Sequence, residues 1–303
     1  MVLSSSILSK SVYLSSMESL YGVVLITLAV VGWSWYRANN PRALPSLQVK
    51  NLWTSAEILD NFTPRSWQRN AYDAFSARLL MQQPQIFPCV YAAKGFKARE
   101  HRFCFIDPLM FEPGSSKLDA QYTSLSASFD EYAQNWRNMG PMTSLVVLTP
   151  LSSQEVTQKT RTLRDDRSLF WQLLREISDR DPSEWPEHVP EEIKEGAWTL
   201  RFRGEAFVAL ALSPQYEKRQ SRFCAGFVLA FQPIAIFKAL SSSPEKWSDA
   251  TGKVRALTDS LDHVPYSEDV IAVGNGEKSV GAMFFLSDDE QSWGSTYSKI
   301  RSG

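Results

Sequence analysis

The sequence predicts an α+β fold in which a mixed sheet with hairpins is packed by several helices and preceded by an N-terminal membrane helix. Two observations predict this class. The pattern from Trp198 to Leu212, WTLRF followed by Arg203-Gly204 and EAFVALAL, indicates a hairpin with a two-residue turn. Long segments with apolar residues at helical spacing alternate with short apolar runs, and this mixture is typical of α+β proteins, not of a doubly wound sheet.

The first predicted elements surround a cysteine. Apolar residues at helical spacing from Trp53 to Met81 predict a helix, with Thr63-Pro64 as its N-cap and first helical position. The short apolar run Cys89 to Ala93 predicts a strand, and the alternating segment Arg102 to Asp107 predicts the strand that pairs with it.

The later elements alternate between long amphipathic segments and short buried ones. Their spacing predicts helices at Tyr122 to Asn138 and Gln154 to Ser178, a buried strand at Ser144 to Thr149 between them, a strand at Cys224 to Phe231 and a helix at Ile234 to Leu240.

Composition limits the class of protein. A chain of 303 residues with 44% hydrophobic residues can bury a large core, so residues 53–303 are predicted to form one globular domain. The formal net charge of -1 provides no overall basic field, which argues against a nucleic-acid partner. The three cysteines have no C-x-x-C spacing, so neither a disulfide framework nor a structural zinc site is indicated.

The N-terminal segment has the features of a membrane anchor. Residues 1–19 are predicted to form a tail, Leu20 to Tyr36 an uncharged transmembrane span ending in an aromatic cluster, and residues 37–52 a linker. Arg37 and Arg42 follow the span, so the positive-inside rule predicts a single-pass protein of the endoplasmic reticulum with its domain in the cytosol. A cleaved signal peptide is the alternative, but the segment lacks a clear cleavage site.

The segment FPCVYAAKGFKAREHRFCF places a cysteine beside a cluster of cations. Cys89 follows Pro88 at the edge of an apolar run, and four basic residues come shortly after it: Lys94, Lys97, Arg99 and Arg102. Nearby positive charge lowers the pKa of a thiol and favours the thiolate, which binds metals or attacks electrophiles. Cys104 and Cys224 lie inside apolar runs instead, where a core role is expected.

The sequence resembles the YqcI/YcgG family from about Trp67 to about Phe237. The resemblance rests on several weak motifs in the right order: an aromatic helix leading into FPC, the G-x-K-A and R-F-x-F segments, the helix SLSASFDEYAQNW, the segment FWQLLREISDRDPSEWP, and the paired strands FRGEAFVALALSP and SRFCAGFVLAFQP. Some members of that family are haem-dependent N-oxygenases that act on arginine or other guanidino compounds.

The resemblance implies roles for particular residues. Cys89 is expected to be the axial thiolate ligand of a haem iron, since an anionic sulfur donates electron density that favours O–O cleavage. His101 is expected to be a distal acid or an alternative iron ligand. Lys97, Arg102 and Arg222 are expected to bind the haem propionates through charge-assisted hydrogen bonds. Each residue also has a structural alternative, as a core thiol, a hydrogen-bonded histidine or part of a solvated basic patch.

The implied activity is hydroxylation of nitrogen on a small amine or guanidine in specialised metabolism. Its expected partners are that substrate, dioxygen, the membrane and an electron-donating reductase, because the chain has no flavin or nicotinamide fingerprint. Two departures from the family pattern favour a non-catalytic haem-binding protein as an alternative. Ser213-Pro214 stands where the family often has His-Pro, and GNGEKSVGAMFFLSDDEQSW replaces a polar tail rich in Arg and Ser. A transferase or hydrolase with Cys89 as nucleophile is the third hypothesis.

Overall fold

The computed structural model describes residues 50–82, 85–109, 113–151, 161–240, 243–271 and 279–302. Contacts within the chain group the residues from Asn51 onward into one unit. The helices of the described residues are α1 (Ser55–Asn61), α2 (Trp67–Leu79), α3 (Val90–Lys97), α4 (Ser116–Asn135), α5 (Leu163–Asp179), α6 (Ile234–Leu240) and α7 (Pro244–Leu261). The strands are β1 (Arg102–Phe105), β2 (Leu145–Leu151), β3 (Leu200–Phe202), β4 (Glu205–Leu212) and β5 (Gly226–Pro233).

The five strands form one mixed sheet in the order β1-β2-β5-β4-β3. The edge strand β1 is parallel to β2, with Arg102 opposite Leu145, whereas the other neighbouring strands are antiparallel. At the end of the central pair, Leu212 of β4 lies opposite Val228 of β5. The predicted α+β class and mixed sheet are confirmed.

The predicted hairpin is confirmed as β3 and β4. Arg203 and Gly204 at its turn have φ angles of 50° and 73°. Two successive positive φ angles are typical of the type I′ turn, whose twist matches that of the flanking strands. The backbone N–H of Arg203 donates to Asp181 at 3.0 Å, and its guanidinium pairs with Asp130, so contacts with other elements hold a non-glycine residue in the left-handed region.

Both faces of the sheet are buried. Leu145 and Val147 of β2 belong to a core with side chains from α4 and α5, while Val146 and Leu148 belong to a second core with side chains from α1, α2 and α3. Successive side chains of a strand point to opposite faces, so β2 is apolar along its whole central length.

The single helix predicted from Trp53 to Met81 is instead two helices, α1 and α2. The side chains of Thr54 and Glu57 form a capping box at the start of α1. The N-cap of α2 is Ser66, whose hydroxyl accepts from the N–H of Arg69, and not Thr63 as predicted. Pro64 explains the break, because a proline disfavours the helical conformation of the residue before it.

The strand predicted from Cys89 to Ala93 is wrong. Val90–Lys97 is helix α3, and Cys89 is its N-cap residue. A short apolar run does not distinguish a strand from a helix that is buried on one side. At Gly95 an added Cβ would lie 2.3 Å from the carbonyl oxygen of Met142, so the absence of a side chain allows α3 to pack closely there. The parallel partner of β1 is therefore β2.

The remaining predicted helices and strands are confirmed, although most of them begin or end at other residues than predicted. Helix α4 begins at Ser116 and ends in a 3₁₀ turn at Trp136–Asn138. Helix α5 begins after its N-cap Thr162 and ends at Asp179, while Gln154, where the helix was predicted to start, lies outside the described residues. The strands β2 and β5 and the helix α6 match the predicted segments.

The predicted membrane location requires correction. Among the described residues, no helix is both long enough and apolar enough to cross a bilayer. The segment Leu20 to Tyr36, on which the prediction of a span rested, lies outside the described residues, as do the tail and most of the linker. The structure therefore gives no support to a membrane protein of the endoplasmic reticulum, and that assignment is withdrawn.

Candidate functional site

The loop that joins β4 to β5, residues 213–225, carries charged side chains into the protein interior. Its two ends are paired, since the N–H of Ser213 donates to the carbonyl oxygen of Arg222 at 3.0 Å and the N–H of Cys224 donates to that of Ser213 at 3.3 Å. A 3₁₀ turn, Gln220–Arg222, lies between them. These hydrogen bonds give the 213–225 loop a defined shape at the end of the central strands.

Ser213 is joined to a buried carboxylate in the first turn of α5. Its hydroxyl donates to Oδ2 of Asp166 at 2.5 Å and accepts from the N–H of Gln215 at 2.9 Å. Asp166 is 1% exposed and also accepts from Nε of Arg161 at 2.9 Å. Ser213, which stands where the resemblance predicts histidine, is thus hydrogen-bonded to Asp166.

A second buried pair consists of Arg219 and Asp262. The Arg219 guanidinium donates to the carbonyl oxygens of Ser287, Pro265 and Asp289 at 2.8 to 3.3 Å, and lies 3.7 Å from Asp262. The carboxylate of Asp262 accepts from the N–H and the hydroxyl of Ser221 at 2.5 and 2.8 Å. Burial raises the pKa of Asp262 despite these donors and the nearby guanidinium groups. The described partners of Arg219 are therefore structural.

Two further arginines in this region have donors without acceptors. Arg78, in the last turn of α2, donates from Nη2 to the carbonyl oxygen of Gln220, and Arg222 donates from Nη2 to that of Met283 at 3.2 Å. Within the described residues, the buried Nε of Arg78 and the buried Nη1 of Arg222 have no hydrogen-bond partner. Burial lowers the pKa of both side chains, partly opposed by the charge of Asp262.

Cys89 is the N-cap residue of α3 and is partly exposed. Burial raises the pKa of the Cys89 thiol, while the backbone N–H groups of Ala92 and Tyr91 and the charge of Arg222 act in the opposite direction. The sulfur makes no regular capping hydrogen bond at the start of α3. Of the residues predicted from sequence, Cys89 and Arg222 are thus linked by an electrostatic interaction.

His101 packs against Phe96 of α3 and is 2% exposed. Its Nε2 donates to the carbonyl oxygen of Ala92 at 2.9 Å, and its Nδ1 is buried without a hydrogen-bond partner among the described residues. Burial lowers the pKa of His101 from 6.5 to about 4, and the charge of Arg102 adds to this effect. His101 is therefore neutral near pH 7. Its hydrogen bond to Ala92 joins the residue before β1 to the first turn of α3.

Lys97 and Arg102 are not joined to Cys89 by any contact within the described residues. Lys97 lines a surface hollow of about 360 Å³ together with Leu59, Leu80 and Arg99. Arg102 donates from Nη1 to the carbonyl oxygens of Arg99, Glu100 and His101 at 3.0 to 3.3 Å. Its guanidinium therefore binds the backbone segment that directly precedes it. Their roles toward a cofactor stay predictions.

Sequence reasoning missed Arg78, Asp166 and Asp262. One signal was available for Arg78, which follows the buried residues Ala71 and Phe75 by seven and three positions and so lies on the apolar stripe of its helix. The two aspartates have no comparable signal, because Ser213 and Ser221, which bind them, lie in a distant part of the sequence.

The fold and the 213–225 loop define an α+β protein with a network of buried charged side chains at the end of its central strands. The chain belongs to the YqcI/YcgG family, whose model matches residues 75–297.

Curated relatives align with more than two thirds of this chain. The chain is 28% identical over 225 residues to each of two uncharacterized proteins of Bacillus subtilis (strain 168), YqcI and YcgG, covering 74% of this chain and 84% and 85% of theirs. It is 25% identical over 213 residues to the provisionally named N(omega)-hydroxy-L-arginine synthase DcsA of Streptomyces lavendulae, covering 69% of this chain and 76% of that protein. No solved structure matches the chain significantly.

The lowered pKa of His101 predicts acid-sensitive stability. A histidine that is neutral in the folded state and protonates more readily when unfolded contributes stability above its unfolded pKa, and loses it as pH falls toward its folded pKa. Between pH 6.5 and about 4 this loss amounts to about 3 kcal/mol. His101→Gln keeps a donor for Ala92 and should remove most of this slope, as measured by urea unfolding at pH 4.5, 5.5 and 6.5.

The exposed His188 provides the matched control, since His188→Gln should retain the slope of the unaltered protein. A His101→Gln protein whose unfolding free energy falls with acid as steeply as that of the unaltered protein would contradict the assignment.

Proposed function

We propose that this protein is a haem-dependent monooxygenase that hydroxylates nitrogen on a small amine or guanidine. The observation that carries the proposal is the similarity to DcsA over 69% of the chain, because the name of that relative describes formation of an N-hydroxy guanidine. The buried site gives a second line of support. The cation Arg222 acts electrostatically on the thiol Cys89 in a chain that is 25% identical to DcsA.

The donor chemistry of the site fits haem. Cys89 has the soft sulfur that suits iron, and Arg222 has a buried N–H, at Nη1, that finds no acceptor among the described residues and would suit a propionate. When bound, haem supplies activation of dioxygen. In this proposal Cys89 ligates the iron and Arg222 binds an acidic group of the macrocycle, while the predicted roles of Lys97, Arg102 and His101 are not needed.

The chain's own residues prepare the site. Burial raises the pKa of the Cys89 thiol, and the N–H groups of Ala92 and Tyr91 and the charge of Arg222 partly offset this in favour of an anionic sulfur. The hydrogen bond from His101 to Ala92 holds the first turn of α3, and with it those N–H groups. The reaction consumes dioxygen, two electrons and two protons, and yields the N-hydroxy product and water. A separate reductase supplies the electrons, since the chain has no nucleotide-binding fingerprint.

A non-catalytic haem-binding protein is the second candidate. The hydroxyl of Ser213 donates to Asp166 and occupies the position where the resemblance predicts histidine, which favours loss of one functional group from the site. The cysteine-dependent transferase or hydrolase is less favoured. Burial raises the pKa of Cys89, and the described contacts of His101 are with Ala92, not with the sulfur.

Turnover of the haem-loaded protein tests the proposal. With a matched reductase, or with peroxide supplied directly, the protein should convert at least one compound of a panel of amines and guanidines to its N-hydroxy product. Mass spectrometry with ¹⁸O-labelled dioxygen should place the new oxygen on nitrogen in the reductase-driven reaction, and haem without protein is the control. Haem-loaded protein that gives only carbon-hydroxylated products, or none, would contradict N-oxygenation and favour the binding protein.

A further inference from the structure

A hollow of about 360 Å³ opens on the surface beside α1, the end of α2 and the end of α3. Its apolar lining consists of Tyr72 and Phe96, which are buried, and of Leu59 and Leu80, which are 47% and 37% exposed. These leucines are two of the three large apolar side chains that are exposed in the part of the chain that the structure describes. Exposed apolar side chains that gather at one place mark interaction sites, whereas scattered ones need no explanation.

Three cations lie beside the hollow. Lys97 and Arg99 line it, and Lys94 stands three positions before Lys97, so the two lysines share one side of α3. All three side chains are exposed. Lys94 contacts the ring of Tyr91, and none of the three forms a salt bridge with another described residue. Asp60 is the single acidic residue among the described residues that line the hollow, so this surface is positive overall.

Helix α3 connects this surface with Cys89. Cys89 is the N-cap residue of the helix, and Lys97 is its last residue. A rise of 1.5 Å per residue places the two Cα atoms about 12 Å apart. Phe96, which lines the hollow, belongs to the apolar core against which Cys89 packs. A protein bound at the hollow would therefore be close to the candidate iron ligand, with packed side chains of that core between them.

We propose that the hollow and the three cations form the docking surface for an acidic electron-donor protein. The apolar lining receives an apolar side chain of the partner, while Lys94, Lys97 and Arg99 pair with carboxylates around it. Opposite charges steer two proteins into an encounter and fix their orientation. Contacts between redox proteins are small and transient, so a hollow of this size with a charged rim suffices. The inference rests on the proposed function, in which a separate reductase supplies the electrons.

The charges argue against a second copy of this chain as the occupant. In a twofold-symmetric dimer the same surface of both copies meets, so the three cations of one copy would face those of the other. Like charges that face one another across an interface oppose binding. A partner with a negative surface avoids this repulsion and also supplies counter-charges for Lys94, Lys97 and Arg99.

Binding without turnover tests the surface. Two acidic redox proteins, a plant-type [2Fe–2S] ferredoxin and a flavodoxin, are compared with a basic c-type cytochrome by surface plasmon resonance on the full chain. At least one acidic protein should bind, with an association rate constant that falls at least about tenfold between about 0.05 and about 0.5 M NaCl, because salt screens the attraction between exposed charges. The basic protein should not bind. Since substrate and dioxygen are not needed, failure of this test is distinguishable from failure of N-oxygenation.

Substitutions locate the contact. Lys97→Glu should lower the association rate constant at low salt about fivefold or more. Lys117→Glu is the matched control, because this exposed lysine lies in α4, which packs on the other face of the sheet, and its substitution should leave the rate constant nearly unchanged. Leu59→Gln should raise the dissociation rate constant about threefold. Its control is Leu109→Gln, since Leu109 is the third exposed leucine and is not among the residues that line the hollow.

Reduction of the haem-loaded protein gives a second measurement. In stopped-flow experiments at low salt, Lys97→Glu should slow reduction by the acidic protein that binds about fivefold, and Lys117→Glu should not. Three results would each overturn the proposal. These are acidic proteins that bind no more tightly than the basic one, equal effects of Lys97→Glu and Lys117→Glu, and self-association of the chain that Leu59→Gln abolishes.

Discussion

Cys89→Ala is expected to abolish or shift the haem absorption spectrum of the purified protein. In the proposed haem protein the sulfur of Cys89 is the iron ligand, so its loss removes the bond that places iron in the site. The measurement is the Soret absorption per folded protein, before and after chemical reduction in the presence of carbon monoxide. Circular dichroism of the same samples separates loss of haem from loss of folding.

Cys104→Ala is the matched control. Cys104 lies in β1, is 3% exposed and has its pKa raised to about 12 by burial, so it is a core thiol. Its substitution should leave the spectrum intact. A Cys89→Ala protein with an unchanged spectrum would contradict the assignment and direct attention to His101, whose Nδ1 is buried without a partner in the described part of the chain.

Asp166→Ala is expected to destabilise the folded protein by about 3 kcal/mol, because it removes one partner of a buried ion pair. Asp166 is 1% exposed, while the side chain of its partner Arg161 is 25% exposed, which places the expected loss at the lower end of the usual range. The substitution also leaves the hydroxyl of Ser213 without its acceptor. Urea unfolding at pH 7 measures the change.

The exposed pair of Arg69 and Asp73 in α2 provides the control. The side chain of Asp73 is 49% exposed, so Asp73→Ala should change the unfolding free energy by about 0.5 kcal/mol or less. Equal losses in Asp166→Ala and Asp73→Ala would mean that the buried network near Ser213 does not stabilise the fold. The N–H of Ser213 donates to the carbonyl oxygen of Arg222. Asp166→Ala should therefore also weaken the binding of haem, which Arg222 contacts in the proposed function.

Local patterns predicted the elements whose signals are local. The turn Arg203-Gly204 has the glycine that a two-residue hairpin turn favours at its second position, and its φ angles match the type I′ turn. The continuous apolar run of β2 was predicted to be buried, and the structure covers both of its faces. At Cys89 the same approach failed, because a five-residue apolar run fits a strand as well as the first turns of a helix.

The functional residues divide in the same way. Cys89 and Arg222 were predicted from sequence motifs, and their roles toward a cofactor stay predictions. Arg78, Asp166 and Asp262 were not predicted, because each obtains its role from partners in other elements of the chain.

The sequence by itself determined the α+β class, the hairpin, the buried central strand and the family, because these depend on patterns within short segments or on their order. Only the tertiary structure decided that α3 is a helix and that, among the described residues, Nε of Arg78 and Nη1 of Arg222 are buried without a hydrogen-bond partner. The physical reason is that burial removes water as a hydrogen-bond partner. Whether a charged side chain is then satisfied depends on groups from α2, the 213–225 loop and the end of α7, which the fold brings together.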